Sequence, residues 1–191
     1  MGKQGSWLKR FTDILLSSII LVLASPIFLL SIIAIKLESK GPAIFFHERT
    51  GYKGEKFKLI KFRGMVVNAL DVGPELTQVN DPRITKVGTF LRRTSIDEIP
   101  NFINVLQGEM TIIGPRPDIP SITDRYNQEQ RKIFDFKPGV TGISQINGRQ
   151  MLTPDGRIKM ELDYYSNANF FSDLIVFLKT FIVVFNNKGN I

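Results

Sequence analysis

Two adjacent carboxylates, Asp97 and Glu98, lie among several cations in this sequence of 191 residues. Arg92 and Arg93 precede the pair by a few positions, and Arg116 follows it between two prolines. Carboxylate oxygens hold magnesium, and Arg and Lys side chains neutralise phosphate oxygens. A carboxylate can also attack phosphorus itself and form an acyl phosphate. The acidic pair is therefore a candidate site for magnesium and phosphate.

The acidic pair also has a purely structural interpretation. Residues 95–98 have the S-x-x-E form of a capping box, in which Ser95 is the N-cap of a helix. We predict that helix from about Ile96 to Gln107, with Gly108 as its C-terminal stop. Acids in its first turn would then complement the helix dipole and do nothing more. On the residues alone, both interpretations stay open.

Four cations are candidate ligands for substrate phosphate: Lys61, Arg63, Arg92 and Arg116. Lys61 and Arg63 alternate along a predicted strand and so share one of its faces, which is also the pattern of two ordinary surface charges. The prolines on either side of Arg116 stiffen its loop. That stiffness favours a positioned phosphate clamp over an exposed loop arginine.

Composition narrows the chemistry further. The sequence has no Cys and a single His, at position 47, which excludes disulfides, a thiolate nucleophile, Cys-ligated zinc and paired-histidine metal sites. The net charge of +7 indicates an anionic neighbour, such as anionic lipid, nucleic acid or a phosphorylated substrate. Because the basic residues are scattered rather than interleaved with aromatics, we predict no nucleic-acid surface.

The segment from Phe11 to Ile35 is almost wholly apolar, with Asp13 as its only charge. Ser25 and Pro26 interrupt it near the middle, and proline removes a backbone donor there. Each half would reach about 18 Å, too short for a bilayer core of about 30 Å. We predict a re-entrant helix–break–helix in which Ser25 bonds a carbonyl freed by the break. A kinked spanning helix is the alternative.

The fold class predicted for the whole chain is α+β and mainly α, with residues 1–40 forming the membrane element and residues 41–191 a second domain. The predicted strands are Ala43–Glu48 and Lys56–Lys61, and the predicted helices after them are Lys86–Arg93, Ile96–Gln107, Pro120–Phe134, Arg157–Tyr165 and Phe170–Phe185. The last helix is apolar and aromatic but too short to span a bilayer. It lies either in the headgroup region or against the domain core.

The chain resembles the bacterial sugar transferase family, the small monotopic phosphoglycosyl transferases, over nearly its whole length. Its motifs follow the order of the family. They are Asp13 with Ser25-Pro26, Glu48-Arg49 with Gly51, Lys61-Phe62-Arg63 with Met65, Asp81 to Thr85, Leu91 to Glu98, Asn104-Val105-Leu106 with Gly108, Gly114-Pro115-Arg116-Pro117, and Pro138 to Gly142 with Gln145, Asn147, Gly148 and Arg149. Gly64 departs from the pattern, since the family usually has Ser or Thr there.

The resemblance implies a reaction. Such enzymes transfer a sugar 1-phosphate from a UDP-sugar to a polyprenyl phosphate, with magnesium, and release UMP. It implies that Asp97 is the nucleophile of a covalent phosphosugar intermediate and a metal ligand, and that Glu98 assists it. Lys61, Arg92, Arg116 and Asp163 match positions at or near the active site of the family, and Arg149 is a further candidate.

The resemblance also implies a location. A re-entrant membrane segment and interfacial helices would hold a cytosolic catalytic domain on the cytoplasmic face of the bacterial inner membrane. The expected partners are the phospholipid bilayer, polyprenyl phosphate, the UDP-sugar and downstream glycosyltransferases. Two other functions compete with this prediction: a glycosyltransferase that moves the sugar alone to a lipid and releases UDP, and a membrane-anchored scaffold without enzymatic activity.

Overall fold

The computed structural model describes residues 7–78, 80–147 and 153–185. Helices predominate in these ranges, and the strands form two small sheets. The helices are α1 Trp7–Leu23, α2 Ser25–Glu38, α3 Lys86–Arg93, α4 Asn101–Gln107, α5 Pro120–Thr123, α6 Gln128–Arg131, α7 Ile143–Ile146, α8 Pro154–Asn167 and α9 Phe170–Phe185. The strands are β1 Ile44–Thr50, β2 Lys56–Phe62, β3 Thr111–Ile113 and β4 Gly139–Thr141. The prediction of an α+β, mainly helical chain is confirmed.

Helices α1 and α2 are bent by 58° at Ala24. Pro26 has no N–H to donate to the carbonyl of Val22, four residues earlier. The hydroxyl of Ser25 donates to that carbonyl instead, at 2.8 Å. The predicted break and its hydroxyl bond are therefore confirmed. Within residues 7–78, 80–147 and 153–185, no single helix is long and apolar enough to cross a membrane. Taken together, the two helices of this bent pair have the length and composition of a membrane span.

The start of α1 is bonded to the rest of the protein through polar side chains. The Lys9 ammonium lies 2.7 Å from a carboxylate oxygen of Asp173 on α9. Asp13 is buried and accepts hydrogen bonds from the Thr111 hydroxyl at 2.7 Å and the Ile112 amide at 3.1 Å. The single charged residue of the apolar segment therefore accepts hydrogen bonds from strand β3.

The end of α2 is also bonded to the rest of the protein, at Arg63 after β2 and at the start of α3. The guanidinium of Arg63 is buried and donates to the carbonyls of Ser39 and Lys40, at 3.1 and 2.8 Å, and to the Ser39 hydroxyl. Glu38 accepts a hydrogen bond from the Val87 amide at the start of α3. The structure places the Arg63 side chain against carbonyls just beyond α2, and its role as a phosphate ligand stays a prediction.

Large apolar side chains are exposed on three helices. They are Trp7, Leu8, Phe11, Ile14, Leu15, Ile19, Val22 and Leu23 on α1, Ile27, Leu29, Leu30, Ile33 and Leu37 on α2, and Phe170, Phe171, Leu174, Ile175, Leu178, Phe181 and Ile182 on α9. Helix α9 also packs inward, since Val176 is buried and the Thr180 hydroxyl meets that of Thr141. One stripe of α9 contacts the core, and the remaining apolar side chains do not.

Strands β1 and β2 form the predicted antiparallel hairpin, in a register that pairs Phe45 with Lys61 and Arg49 with Phe57. Buried Asn104 on α4 attaches this hairpin to the helix. Its side-chain oxygen accepts from the Ile60 amide at 3.0 Å, and its side-chain nitrogen donates to the Lys58 carbonyl at 2.8 Å. Because these bonds are made by residues just before Lys61 in β2, they fix the height of that residue above α4.

Two predicted helices are shorter than expected. The prediction of a helix from Ile96 to Gln107 was wrong at its start, where Ile96–Glu98 form a 3₁₀ turn. Pro100 cannot donate to the Ile96 carbonyl, which accepts from Ile99 instead, and α4 begins only at Asn101. Gly108 ends α4 at φ 86°, as predicted. The segment predicted as one helix over Pro120–Phe134 consists of α5, α6 and the 3₁₀ turn Lys132–Asp135.

Candidate active site

The acidic pair lies on the 3₁₀ turn that connects α3 to α4. Ser95 enters this turn in the left-handed conformation, with φ 57°, and its side chain makes no capping hydrogen bond. The predicted capping box at Ser95 is therefore wrong. A capping box does occur at Asn127 and Gln130, where both side-chain-to-backbone bonds are present.

Glu98 joins two of the predicted phosphate ligands. The ammonium nitrogen of Lys61 lies 2.8 Å from Oε1 of Glu98. The guanidinium of Arg116 reaches the same oxygen, with its two terminal nitrogens at 3.3 and 3.4 Å. The structure thus brings together strand β2, the acidic turn and the loop after β3 at one carboxylate.

Asp97 has an unusual acidity. Burial raises its pKa to about 6, and the neighbouring charge of Glu98 acts in the same direction. The cations Lys61, Arg92 and Arg116 oppose this rise. Asp97 is thus a partly buried carboxylate that is mostly ionised at neutral pH and lies close to three cations. This is the environment expected of a carboxylate that attacks phosphorus.

Arg92 approaches the pair from α3. Its guanidinium donates to the Thr77 hydroxyl at 3.2 Å, and burial lowers its pKa while the charge of Asp97 opposes the change. Two glycines allow this approach. A side chain at Gly88 of α3 would place its Cβ 2.0 Å from the Gly64 carbonyl oxygen, and a Cβ at Gly64 would lie 3.3 Å from Nε of Arg92. The departure from the family pattern at Gly64 therefore lies directly beside Arg92.

Arg49 is a member of this cluster that we did not predict as a site residue. It donates to the Pro117 carbonyl at 3.3 Å and lies 3.1 Å from Nδ1 of His47. Burial and the charge of Arg116 lower the pKa of Arg49 to about 10. Burial and the charges of Arg49 and Lys61 lower the pKa of His47 to about 4. His47 is therefore neutral at pH 7. A small, open cleft lies here, lined by Arg49, Lys61, Glu98, Asn101 and Arg116 among others.

The hairpin register is the signal that could have identified Arg49. Residues alternate between the two faces of a strand, so Arg49 and His47 lie on one face of β1. The pairing of Phe45 with Lys61 places Lys61 on that same face of the hairpin. A predicted register would therefore have grouped these cations.

One further candidate, Asp163, is not brought into the cluster. The side chain of Asp163 is exposed on α8. Glu161, two positions earlier, is buried and accepts from the backbone amide of Arg116 at 3.1 Å. Positions two apart on an α-helix point about 200° apart, so these acids lie on nearly opposite faces. Arg149 falls outside the described residues, and its prediction is not tested.

The family described as bacterial sugar transferase matches residues 4–187 of the chain. The chain belongs to this family. It is 44% identical over 188 residues to the UDP-glucose:undecaprenyl-phosphate glucose-1-phosphate transferase of Escherichia coli K12, covering 91% of this chain and 39% of the relative. It is 37% identical over 205 residues to the undecaprenyl-phosphate galactose phosphotransferase of Salmonella typhimurium, covering 99% of this chain and 43% of the relative.

A relative of similar length is also found. The chain is 33% identical over 201 residues to the exopolysaccharide production protein ExoY of Rhizobium meliloti, covering 97% of this chain and 89% of the relative. By contrast, the chain spans about two fifths of the length of the other two relatives. The family match therefore concerns the part that these proteins share.

The carboxylates of this chain fit a metal site that substrate phosphates complete, rather than one formed by protein side chains alone. Among the residues that the structure describes, no group of three or more His, Cys, Asp or Glu side chains could hold a metal ion. Mg²⁺ commonly takes one or two carboxylates from the protein and completes its shell with water and substrate phosphates. Asp97, with its carboxylate close to the cations Lys61, Arg92 and Arg116, suits that mode of binding.

Proposed function

We propose that this protein transfers a sugar 1-phosphate from a UDP-sugar to polyprenyl phosphate, giving polyprenyl-diphosphate-sugar and UMP. The observation that carries the proposal is the carboxylate of Asp97, with its raised pKa, beside a Glu98 that Lys61 and Arg116 bind. The relatives from Escherichia coli and Salmonella typhimurium are named as undecaprenyl-phosphate sugar transferases, which supports the same reaction class.

The chemistry proceeds in two displacements at one phosphorus. An ionised oxygen of Asp97 attacks the phosphorus bonded to the sugar, an O–P bond forms, and the bond to the bridging oxygen breaks so that UMP leaves. A phosphate oxygen of the polyprenyl phosphate then attacks the same phosphorus and releases the Asp97 carboxylate. Lys61, Arg92 and Arg116 stabilise the negative charge that builds up in both steps. Two steps let one phosphate pocket serve both substrates in turn.

Magnesium completes the proposed site. Asp97 would hold the ion together with phosphate oxygens of the substrate, and the bound ion would neutralise the charge of the diphosphate. Glu98 would then keep Lys61 and Arg116 in place beside that diphosphate. The hard oxygen ligands here suit Mg²⁺ better than softer transition metals.

The bent pair α1–α2 is proposed to enter and leave the bilayer on the cytoplasmic face. Lys9 and Asp13 bind the start of the pair to α9 and β3, while Arg63 binds the residues after its end. Both ends thus belong to one domain, whereas a spanning helix would separate them by about 30 Å of hydrocarbon. The apolar side chains exposed on α1, α2 and α9 would contact lipid, where the polyprenyl phosphate presents its head group.

The decisive experiment measures the nucleotide product. A panel of UDP-sugars is incubated with polyprenyl phosphate and Mg²⁺, and UMP and UDP are quantified. We expect stoichiometric UMP with at least one sugar, and near-total loss of UMP in Asp97→Asn and Glu98→Gln. The exposed acid Asp124 supplies a control, since Asp124→Asn should retain full turnover. Stoichiometric UDP would instead identify a glycosyltransferase, and turnover that survives Asp97→Asn would overturn the proposed nucleophile.

A further inference from the structure

The backbone of Arg116 is bonded on both sides by a charged pair on α8. Its amide donates to Oε1 of Glu161 at 3.1 Å, and its carbonyl accepts from the Arg157 guanidinium at 3.4 Å. Arg157 and Glu161 are one helical turn apart and are themselves 3.4 Å apart. Because Pro115 and Pro117 have no N–H, the Arg116 amide is the single backbone donor of this tripeptide.

Glu161 is placed for this bond at a substantial energetic cost. Its side chain is 1% exposed, and burial raises its pKa while the charge of Arg157 opposes the rise. The hydroxyl of Ser144 donates to Oε1 at 2.6 Å. A buried carboxylate is retained only where hydrogen bonds and a counter-charge compensate its lost hydration. Here the compensating groups are Ser144, Arg157 and the Arg116 amide.

Arg157 extends the same attachment along the loop. It donates to the carboxylate of Asp118, which also accepts from the hydroxyl of Tyr126. Burial lowers the pKa of Arg157, but the charges of the Asp118 and Glu161 carboxylates have the larger combined effect, so the pKa of Arg157 is raised overall. Arg157 is thus a cation at any physiological pH, and it fixes the loop at both Arg116 and Asp118.

The side chain of Arg116 does not fix its own position. It is 43% exposed, and its contacts with Glu98 are 3.3 and 3.4 Å long. A long, half-exposed side chain has many accessible rotamers, and ordering it costs conformational entropy. The direction of the guanidinium therefore depends on the position and orientation of the Arg116 backbone.

We propose that Arg157 and Glu161 are positioning residues that orient the backbone of Arg116 and so direct its guanidinium toward Glu98 and the phosphate bound there. The proposal rests on the transferase function proposed above. It differs from a purely stabilising role for a buried ion pair, because the effect of the pair on turnover passes through the side chain of Arg116.

A double-mutant cycle separates the two roles. Glu161→Ala should lower kcat per folded protein about 10- to 100-fold, the scale of a misplaced catalytic group. In an Arg116→Ala background, which keeps the backbone amide but removes the guanidinium, the same change should cost less than about twofold. Glu161→Gln keeps an acceptor oxygen for the Arg116 amide and should recover most of the rate when Arg116 is present.

The matched control is Ile158→Ala on the same helix. Ile158 is buried in a different cluster, with Tyr126 and Ile133, so its loss should be equal with Arg116 present and in the Arg116→Ala background. Equal losses for Glu161→Ala in both backgrounds would overturn the positioning role while leaving the transferase function intact.

A binding readout makes the inference independent of turnover. The same cycle is measured on the Kd for inorganic pyrophosphate, which the cations of the cluster attract whatever reaction follows. We expect Glu161→Ala to weaken binding when Arg116 is present and to have little effect in the Arg116→Ala variant. If no UDP-sugar yields UMP, the proposed function fails, and this cycle still decides for or against the positioning pair: non-additive losses support it, and additive losses refute it.

Discussion

The ammonium nitrogen of Lys61 lies 2.8 Å from Oε1 of Glu98, and this bond joins strand β2 to the acidic turn between α3 and α4. Arg116 contacts the same oxygen from the loop after β3. Both contacts are made to Glu98 rather than to Asp97, so the two cations lower the pKa of Asp97 by their charge while its neighbour accepts their hydrogen bonds. This division leaves Asp97 as the acid suited to attack.

The pH dependence of the first displacement should report Asp97. Because only the ionised carboxylate attacks and its pKa is about 6, UMP formation from UDP-sugar alone should fall as the pH drops below about 6. Lys61→Met removes a charge that lowers this pKa, so the midpoint should move to higher pH. Lys58→Met, at an exposed position of the same strand, should leave the midpoint unchanged. A midpoint near that of an ordinary aspartate, about 4, in the unmodified protein would contradict the assignment.

Asp97→Asn should stabilise the fold while abolishing turnover. The pKa of Asp97 is raised from 3.8 to about 6, so the folded state binds the proton more tightly than the unfolded state does. Stability therefore falls as pH rises from about 4 through 6, and the ionised protein carries a penalty of about 3 kcal/mol. Asn removes the penalty.

Thermal melts test this prediction. The melting temperature of Asp97→Asn should exceed that of the unmodified protein at a pH of about 7.5, and the gap should close as the pH approaches about 4. Asp124→Asn should show no such trend. If Asp97 were only an acid stabilising a helix N-terminus, the sign would reverse, and its replacement would lower the melting temperature.

The sequence allowed the acidic pair, Lys61 and Arg116 to be predicted because each lies in a short motif whose residue types fit phosphate chemistry. The contacts of Arg63 could not be predicted, because alternation along a strand gives the face of a residue but not its partner; here the guanidinium binds the carbonyls after α2. Glu161 was missed because a charged residue on a helix is expected to face water. Only the tertiary contact with Arg116 shows otherwise.

The fold was predictable to a similar degree. The hairpin β1–β2, helix α3 and the break at Pro26 follow from strong local signals such as turn glycines, apolar periodicity and a missing backbone donor. The parallel pair β3–β4 was missed because each strand has three residues, too few for a periodic pattern, and because the two strands are distant in sequence. Pairing of this kind is set by packing rather than by local propensity.

Gly88→Ala should destabilise the protein strongly. The added Cβ would lie 2.0 Å from the Gly64 carbonyl oxygen, so α3 and the strand end must separate. We expect a loss of about 3 kcal/mol or more in the free energy of unfolding, as for other overpacked sites. Thr89→Ala, at the next and exposed position of α3, is the control and should change stability by less than about 0.5 kcal/mol. Equal melting temperatures for the two variants would refute this close contact.

The topology of the α1–α2 pair can be determined by single-cysteine labelling, since the chain has no native Cys. Helix α1 has 17 residues and α2 has 14, which at 1.5 Å per residue is about 25 and 21 Å, less than a hydrocarbon core of about 30 Å. The bond of Lys9 to Asp173 and those of Arg63 beyond α2 place both ends on one domain.

Cysteines at Gly5 and Lys40 should therefore both react with a membrane-impermeant maleimide from the cytoplasmic side. A cysteine at Leu23, beside the bend and 75% exposed on the protein, should be shielded by lipid from either side. Labelling of Gly5 and Lys40 from opposite sides would establish a spanning helix and would require the contacts at Lys9 or Arg63 to be broken in the membrane.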